Sequence, residues 1–333
     1  MLLLSAPVSA LVGSHTQQPG DKQNSATAKP DLIEAEGLNA SVISLYNEHK
    51  YAEAFPIAKR VLEIREKALA AGDELIVAAL INLAEIQQAR GKHPEAQEFF
   101  ESALKNVEKT SGPDSIQVAK LLDRLAIVNY NNGNPSKTES YYKRALAIRE
   151  KALGAEHADV AHSIYNLAEF FQFQGNYKAA EPLYQRLIEI RNKNSEKEPE
   201  PLGEALSRYA CLLRKTKRLD EAQQLEGRMY ETSHLDPVPP GNFVSAGVVN
   251  GKAITLVTPV YPAEARGKQS GKVTVQVLID ENGRVLRACA VAGPSLLMKA
   301  SESAAYRSKF TPTTLEGMPV RVNGVIIYNF VSQ

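Results

Sequence analysis

Apolar and small residues recur with a fixed period of 42 residues from about position 31 to position 234. The repeated dipeptides are Leu83-Ala84, Leu125-Ala126 and Leu167-Ala168, and the frame extends back to Ser41-Val42 and forward to Tyr209-Ala210. Twelve residues after the start of each dipeptide come Glu53-Ala54, Glu95-Ala96, Lys137-Thr138, Ala179-Ala180 and Glu221-Ala222. A period held five times predicts five helix–turn–helix units, whose small residues lie where two helices approach closely.

Turn and aromatic positions follow the same frame. Gly91, Gly133 and Gly175 mark the turn in the middle three units, and Lys217 stands in the glycine position of the last unit. Phe100, Tyr142 and Tyr184 are predicted to fill the space between neighbouring units. The pattern therefore favours an α-solenoid, in which each unit packs only against its neighbours.

The pattern changes to strict alternation in the last quarter of the chain. Val273, Val275, Val277 and Ile279 alternate with mostly polar residues before an Asp280–Gly283 turn, after which strand resumes. This pattern predicts a β-hairpin with one buried face. A helical stretch follows Pro294 with Leu297, Ala300 and Ala304 on one face, and a last strand runs from Val320 to Phe330.

These patterns predict a small α+β domain with a three-stranded antiparallel sheet after the solenoid. Val248 to Ile254 is predicted to form a further short hairpin with an Asn250-Gly251 turn. The prolines around position 239 favour a stiff extended spacer. The predicted organisation is a leader at 1–30, the solenoid at 31–234, a proline-rich linker at 235–245 and the α+β domain at 246–333.

The first residues, Met1 to Ala10, have the short apolar run and the small residues of the end of a secretory signal. A disordered, mildly apolar tail is the alternative. Residues 14–30 are rich in Gln, Ser, Lys and Pro and predict a disordered leader. The sequence contains no run of about 20 apolar residues. We therefore expect export to the periplasm, with membrane attachment only through partners or through an anchor that precedes Met1.

Charge and motif content exclude several classes of function. The net charge of +1 gives no basic field for nucleic acid. Phosphate-binding loops, zinc-ligand spacings and nucleophile motifs are all missing. Cys211 and Cys289 fall in different predicted domains, so we expect two small, semi-buried residues without a disulfide. We expect a non-enzymatic protein that needs no cofactor, metal or small-molecule substrate.

The repeating units resemble tetratricopeptide repeats of the kinesin-light-chain type. The tags that carry this resemblance are Ile64-Arg65-Glu66-Lys67, Ile148-Arg149-Glu150-Lys151, His157-Ala-Asp-Val160-Ala161 and Asn166-Leu167-Ala168. The resemblance implies a concave groove lined by the first helices and suited to an extended peptide. Candidate groove residues are Asn82, Lys120, Arg124, Asn166 and Arg208. Capture of a C-terminal carboxylate and a solvated groove wall without a dedicated ligand are the alternatives.

The α+β domain resembles the C-terminal domain of TonB-family proteins. The matching positions are Tyr261-Pro262, the alternating series from Gly271 to Val285, Phe310-Thr311-Pro312, Gly317 to Val320 and Phe330. The resemblance implies that the edge of the last strand accepts a short receptor segment by strand addition. Candidate residues on this edge are Val320, Val322, Val325, Ile326, Ile327, Tyr328 and Phe330. A self-contained sheet with a blunted edge is the alternative.

These expectations combine into a periplasmic adaptor of the cell envelope. The repeat groove would bind one protein, and the C-terminal domain would bind another by strand addition, with TonB-dependent receptors as candidate partners in transmembrane transport. The alternative hypothesis is a structural or assembly scaffold, in which the C-terminal domain only stabilises or oligomerises the chain.

Overall fold

The computed structural model of the chain describes residues 30–193, 199–232, 243–262, 265–267 and 269–331. The predicted signal and leader up to residue 29, and linker residues 235–242, lie outside these ranges. Within these ranges, the first part of the fold consists of ten α-helices: α1 (Pro30–Asn47), α2 (Tyr51–Ala68), α3 (Glu74–Ala89), α4 (His93–Ser111), α5 (Ile116–Asn131), α6 (Pro135–Leu153), α7 (Ala158–Phe173), α8 (Tyr177–Lys193), α9 (Pro199–Lys215) and α10 (Leu219–Thr232). None of the described helices has both the length and the apolarity needed to cross a bilayer.

The ten helices form five hairpins, as the period of 42 predicts. Each hairpin turns through one residue in the left-handed region, with φ of 74° at Gly91, Gly133 and Gly175. His49 and Lys217 occupy the same position in the first and last hairpins, with φ of 60° and 64°. The turn geometry is therefore kept even where the side chain makes it unfavourable.

Side-chain caps start the first helices of the middle hairpins in the same frame. Asp73 accepts a hydrogen bond from Leu75 N–H, Ser115 from Val118 N–H, and His157 from Asp159 N–H. Each cap satisfies one backbone donor that the first helical turn leaves free. The period of 42 thus fixes where the helices begin as well as where they turn.

The small residues of the repeat are the points of closest helix packing. Five of them have no exposed surface, namely Ala54, Ala96, Thr138, Ala180 and Ala222. The aromatic side chains predicted to fill the gaps, Phe100, Tyr142 and Tyr184, are buried as well. A larger residue at any of the five small positions would force neighbouring helices apart.

The chain divides into two compact units, Met1–Ala152 and Leu153–Gln333. The first unit contains the first three hairpins, with apolar clusters around Leu83 and around Phe100. The second contains the last two hairpins and the C-terminal module, which we define as residues 243–331.

The described residues of the C-terminal module form seven strands and one α-helix: β1 (Phe243–Val248), β2 (Ala253–Thr255), β3 (Gly271–Ile279), β4 (Val285–Ala292), α11 (Ser295–Arg307), β5 (Lys309–Phe310), β6 (Thr313–Leu315) and β7 (Met318–Phe330). The main sheet has the order β1-β7-β3-β4, and β6 also pairs with β7. Strand β1 runs parallel to β7, whereas β3 is antiparallel to both β4 and β7. The prediction of a three-stranded antiparallel sheet is therefore wrong in strand number and in direction. The β3–β4 hairpin, the helix after Pro294 and the long last strand are confirmed.

The error arises at residues 243–254. Phe243 to Ser245 belong to β1 and not to the predicted linker. Asn250–Lys252 forms a short 3₁₀ turn between strands of two different sheets, since β2 pairs with β5. The predicted Val248–Ile254 hairpin is therefore wrong, because β1 pairs with a strand about 80 residues away instead of its neighbour.

The core of the module lies between β3, β4, β7 and α11. Val273, Val275 and Val277 point into it from β3, and Leu297 and Ala304 cover them from α11. Gly283, in the β3–β4 turn, has φ of 79°, and a Cβ there would lie 1.8 Å from the carbonyl oxygen of Phe310. Glycine is thus required at this turn by both conformation and space.

Candidate protein-binding sites

A row of polar side chains crosses the first helices of the first three hairpins. Asn82 Nδ2 on α3 donates to Asn39 Oδ1 on α1 at 3.0 Å. Arg124 on α5 forms an ion pair with Glu85 on α3. Equivalent helix faces bring these residues together, since Asn82 and Arg124 are 42 positions apart. We call Asn39, Asn82, Glu85 and Arg124 the polar row.

The row contains a buried carboxylate that is only partly satisfied. Burial raises the pKa of Glu85, and the Arg124 guanidinium opposes that rise. Glu85 Oε1 pairs with Arg124, but Oε2 is buried and has no hydrogen-bond partner among the described residues. Burial and the nearby Glu85 also raise the pKa of the Tyr46 hydroxyl to about 12. A buried acceptor of this kind is costly unless a ligand or water donates to it.

Lys120 lies one turn before Arg124 on α5, and its side chain is exposed. An exposed cation thus lies one helical turn from the Arg124–Glu85 ion pair. Amide groups and charges of this kind can bind the backbone and the side chains of an extended peptide. The structure places three of the five predicted groove residues, Asn82, Lys120 and Arg124, in the first unit.

The other two predicted groove residues, Asn166 and Arg208, lie in the second unit. Asn166 on α7 is 3 % exposed. Arg208 on α9 lies 3.2 Å from Glu302 of α11 and 3.6 Å from Glu169. Its guanidinium also lies over the Tyr306 ring, 5.7 Å from the ring centre. Arg208 therefore holds the C-terminal module and is not open to a peptide.

Glu302 is the centre of this contact between the last hairpin and the module. One carboxylate oxygen accepts the Ala290 N–H at 2.8 Å, so it satisfies one backbone donor of β4. Lys215 Nζ of α9 lies 3.6 Å from the same oxygen, and both side chains are almost fully buried. Charges buried to this extent are held only where they are paired.

A second buried ion pair lies nearby. Glu226 on α10 receives two hydrogen bonds of 2.8 Å from the Arg214 guanidinium and also pairs with Arg287 of β4. Burial alone would raise the pKa of Glu226, but the two guanidinium groups bring it below its usual value. The module is thus fixed to α9 through Glu302 and to α10 through Arg287.

A disulfide joins the same two surfaces. Cys211 on α9 and Cys289 on β4 are bonded, with their Cα atoms 5.6 Å apart. The expectation of two unlinked cysteines is wrong. Assignment to different domains does not separate two residues when those domains pack against each other. The even cysteine count, together with the expected export, was the sequence signal for this bond.

The outer edge of β7 is covered by the chain itself. Strand β1 pairs with Arg321 to Val325. Beyond it, Val249 N–H donates to Val325 O at 2.9 Å, and the Asn250 amide both donates to and accepts from the Ile327 backbone. The edge that strand addition requires to be free is therefore occupied in this structure.

The candidate edge residues are divided between the two faces of β7. Val320, Val322, Ile326, Tyr328 and Phe330 are buried, whereas Val325 and Ile327 are half-buried. The edge groups that a partner strand would use belong to the backbone of β7. These groups now face β1 and Asn250.

A polar cleft of about 290 Å³ lies beside β1, lined by Arg214, Ser245, Gly247, Gln276, Val277, Arg287, Asn323, Gly324 and Val325. Gln276 alternates with the core residues Val275 and Val277, so its side chain points away from the core. Both arginines in the cleft are engaged with Glu226.

Within the described part of the chain, the only acidic or sulfur cluster at metal-binding distance is Cys211, Cys289 and Glu302. The disulfide ties up both sulfur atoms, and metal ligation by cysteine requires the thiolate. The cluster is therefore structural in this state.

Comparison with protein families matches two regions. The tetratricopeptide repeat family matches residues 34–109, 117–193 and 163–232, which together cover more than half of the chain. The family described as "Gram-negative bacterial TonB protein C-terminal" matches residues 257–331. Strand β1 thus lies outside the matched TonB residues. No curated protein matches the chain.

Solved structures with a similar fold belong to repeat proteins. BtubC (BKLC) from P. vanneervenii has a TM-score of 0.54 at 20% identity, over 65% of this chain and 88% of that one. A putative kinesin light chain from Podosopora anserina has a TM-score of 0.54 at 21% identity, over 62% and 96%. Aspartyl phosphate phosphatase F from Bacillus subtilis has a TM-score of 0.53 at 13% identity, over 61% and 51%. At these identities the likeness establishes the fold of the repeats alone.

Proposed function

This chain belongs to the tetratricopeptide repeat family, and on that premise we propose that it is a non-catalytic adaptor of the Gram-negative cell envelope. One protein partner binds to the polar row of the first three hairpins. A second partner binds to the sheet of the C-terminal module. TonB-dependent receptors are our candidates for that second partner, and transmembrane transport is the process in which we place the protein.

The polar row is the observation that carries the proposal. Its amide pair joins α1 to α3, and its Arg124–Glu85 ion pair joins α5 to α3, so polar groups line the first helices of three successive hairpins. A peptide backbone offers donors and acceptors at regular intervals, so an extended segment can satisfy several of these groups at once.

The disulfide supports a location outside the cytoplasm. Structural disulfides persist in oxidising compartments such as the bacterial periplasm and are rare where thiols are kept reduced. A buried Cys211–Cys289 bond therefore agrees with export, which the first residues of the sequence suggest. We propose the periplasm as the site of action.

A scaffold is the second candidate function, and one observation favours it. The disulfide and the buried charges fix the C-terminal module to α9, and β1 covers the edge of β7. In a scaffold this module would stabilise the last hairpins and bind no receptor.

Peptide selection on the full-length chain tests the role of the polar row. We expect the selected peptides to lose about threefold to tenfold in affinity with Asn82→Ala, because one amide hydrogen bond contributes about 0.5–1.5 kcal/mol. Lys120→Glu should weaken acidic peptides further. Lys59→Glu, an exposed change on the second helix of a hairpin, is the matched control. Peptides that bind all three variants and the wild type equally would refute the proposal.

A further inference from the structure

Residues 243–250 lie along the outer edge of β7 and are here called the covering segment. Their contacts are of three kinds: the parallel pairing of β1 with Arg321 to Val325, the Val249 N–H to Val325 hydrogen bond, and the Asn250 amide on Ile327. The Asn250 side chain imitates a strand residue, because it gives and accepts one hydrogen bond at the same backbone position. The segment thus occupies the edge as a bound peptide would.

One side chain of the segment fits a recess in β7. Val249 is 1 % exposed and sits against Gly324, where a Cβ would lie 2.5 Å from Val249 Cγ1. The missing side chain of Gly324 therefore makes the space that the valine fills. In contrast, Val248 is 57 % exposed and contributes little beyond its backbone. The edge is thus selective at the positions of Val249 and Asn250.

The pairing of the covering segment with β7 is short and irregular, which favours its displacement. Strand β1 has six residues, its register shifts between Ser245 and Gly247, and Gly247 has φ of 61°. Short and irregular edge strands pair less strongly than long regular ones. The segment lies outside residues 257–331, which match the TonB family, so the family domain does not include it.

We propose that the covering segment is an intramolecular ligand of β7, and that a partner protein binds the same edge by displacing it. The partner segment is an extended peptide that runs parallel to β7. It places a branched apolar residue over Gly324 and an amide-bearing residue beside Ile327. This inference rests on the proposed function of the C-terminal module and names the chemistry of its partner.

Occupation of the β7 edge by the covering segment, here called self-occupancy, lowers the apparent affinity of the protein for the partner. Only the fraction of molecules with an open edge can bind, so the apparent Kd rises by the inverse of that fraction. Changes that weaken the covering segment without touching β7 should therefore tighten binding of a peptide supplied in solution.

The test uses the full-length chain and a labelled peptide with the sequence of residues 243–250, Phe-Val-Ser-Ala-Gly-Val-Val-Asn. Fluorescence anisotropy measures its affinity for the wild type and for the double variant Val249→Ala/Asn250→Ala. Amide exchange at Val325 and Ile327 reports whether the edge has opened. We expect the double variant to bind the peptide about tenfold more tightly than the wild type. The matched control, Val248→Ala, should behave as the wild type, and a scrambled peptide should bind neither.

Two results separate failure of this inference from failure of the proposed function. Equal affinity for the wild type and an opened double variant would overturn self-occupancy and leave strand acceptance standing. An opened edge that binds no peptide would overturn both. A double variant that dimerises and excludes the peptide would show that a second copy takes the edge, and would also overturn the inference.

If amide exchange shows that the edge stays closed in the double variant, Gly324→Ala is a second variant that should open the edge. The new methyl group collides with Val249, so the covering segment should leave while its own sequence stays intact. A peptide with glycine in the Val249 position should then bind this variant more tightly than the unmodified peptide does. The opposite order of affinities would overturn the proposed recess at Gly324.

Discussion

Reducing the Cys211–Cys289 disulfide should destabilise the second compact unit and leave the first unit unchanged. The bond joins residues 78 positions apart, and α10 and the first three strands of the module lie between them. For a loop of this length, the chain-entropy relation gives about 4.5 kcal/mol of stabilisation. Removal of a native disulfide commonly costs about 2–5 kcal/mol, so we expect a loss in that range.

The buried charges decide what remains after reduction. Glu302 still pairs with Arg208 and Lys215, and Glu226 with the two arginines beside it. The module should therefore stay docked at neutral pH but open more often. Both cysteines lie beyond residue 152, so the first three hairpins serve as an internal control.

Urea denaturation followed by amide exchange measures the two units separately. Peptides from α5 report on the first unit and peptides from β4 on the second, with and without a reductant. Cys211→Ser/Cys289→Ser is the control variant, because a reductant should not change its unfolding further. An unchanged unfolding midpoint for β4 on reduction would refute the reasoning, as would an equal loss in α5.

Lys217 has φ of 64°, which costs a non-glycine residue free energy, so Lys217→Gly should raise the free energy of unfolding by about 1 kcal/mol. Gly91 has φ of 74°, so Gly91→Ala should lower the free energy of unfolding by about 1–2 kcal/mol. Thermal denaturation of both variants measures these changes. Glu302→Gln should lower the free energy of unfolding of the second unit by about 3 kcal/mol or more, because it leaves the buried Arg208 and Lys215 without their anionic partner. Urea unfolding followed at β4 measures this loss, and an unchanged midpoint would contradict the prediction. The folded-state pKa of Glu226 is lowered, so its stabilising contribution is present above the unfolded pKa of about 4.3 and is lost as pH falls through the folded value. Acid unfolding of the second unit should therefore become less steep below about pH 4 in Glu226→Gln, and an unchanged profile would contradict this.

The repeat architecture was accessible from the sequence because local rules fix it. Alanine at positions such as 54 and 96, glycine at 91 and the caps at Asp73 and Ser115 all act within one hairpin or between neighbours. The same period placed Asn82 and Arg124 on a shared side of the helices. Their partners Asn39 and Glu85 complete the polar row, and only the packed structure identifies them.

The features that the sequence did not predict all depend on contacts between distant segments. Strand β1 has no alternating pattern of its own and pairs with residues about 80 positions away. Cys211 and Cys289 meet only because β4 packs on α9. Arg208 has the periodic position of a groove residue, yet Glu302 engages it. Periodicity cannot report such contacts, since it describes one segment at a time.

Simultaneous binding of two peptides tests the adaptor function most directly. The first peptide is one selected on the wild type that depends on Asn82, and the second is the 243–250 peptide bound to the Val249→Ala/Asn250→Ala variant. When the first peptide is titrated calorimetrically into the variant saturated with the second peptide, it should bind with a stoichiometry of one. We predict a Kd for the first peptide within about twofold of its value without the second, as expected for two sites without coupling. Displacement of one peptide by the other would contradict the account.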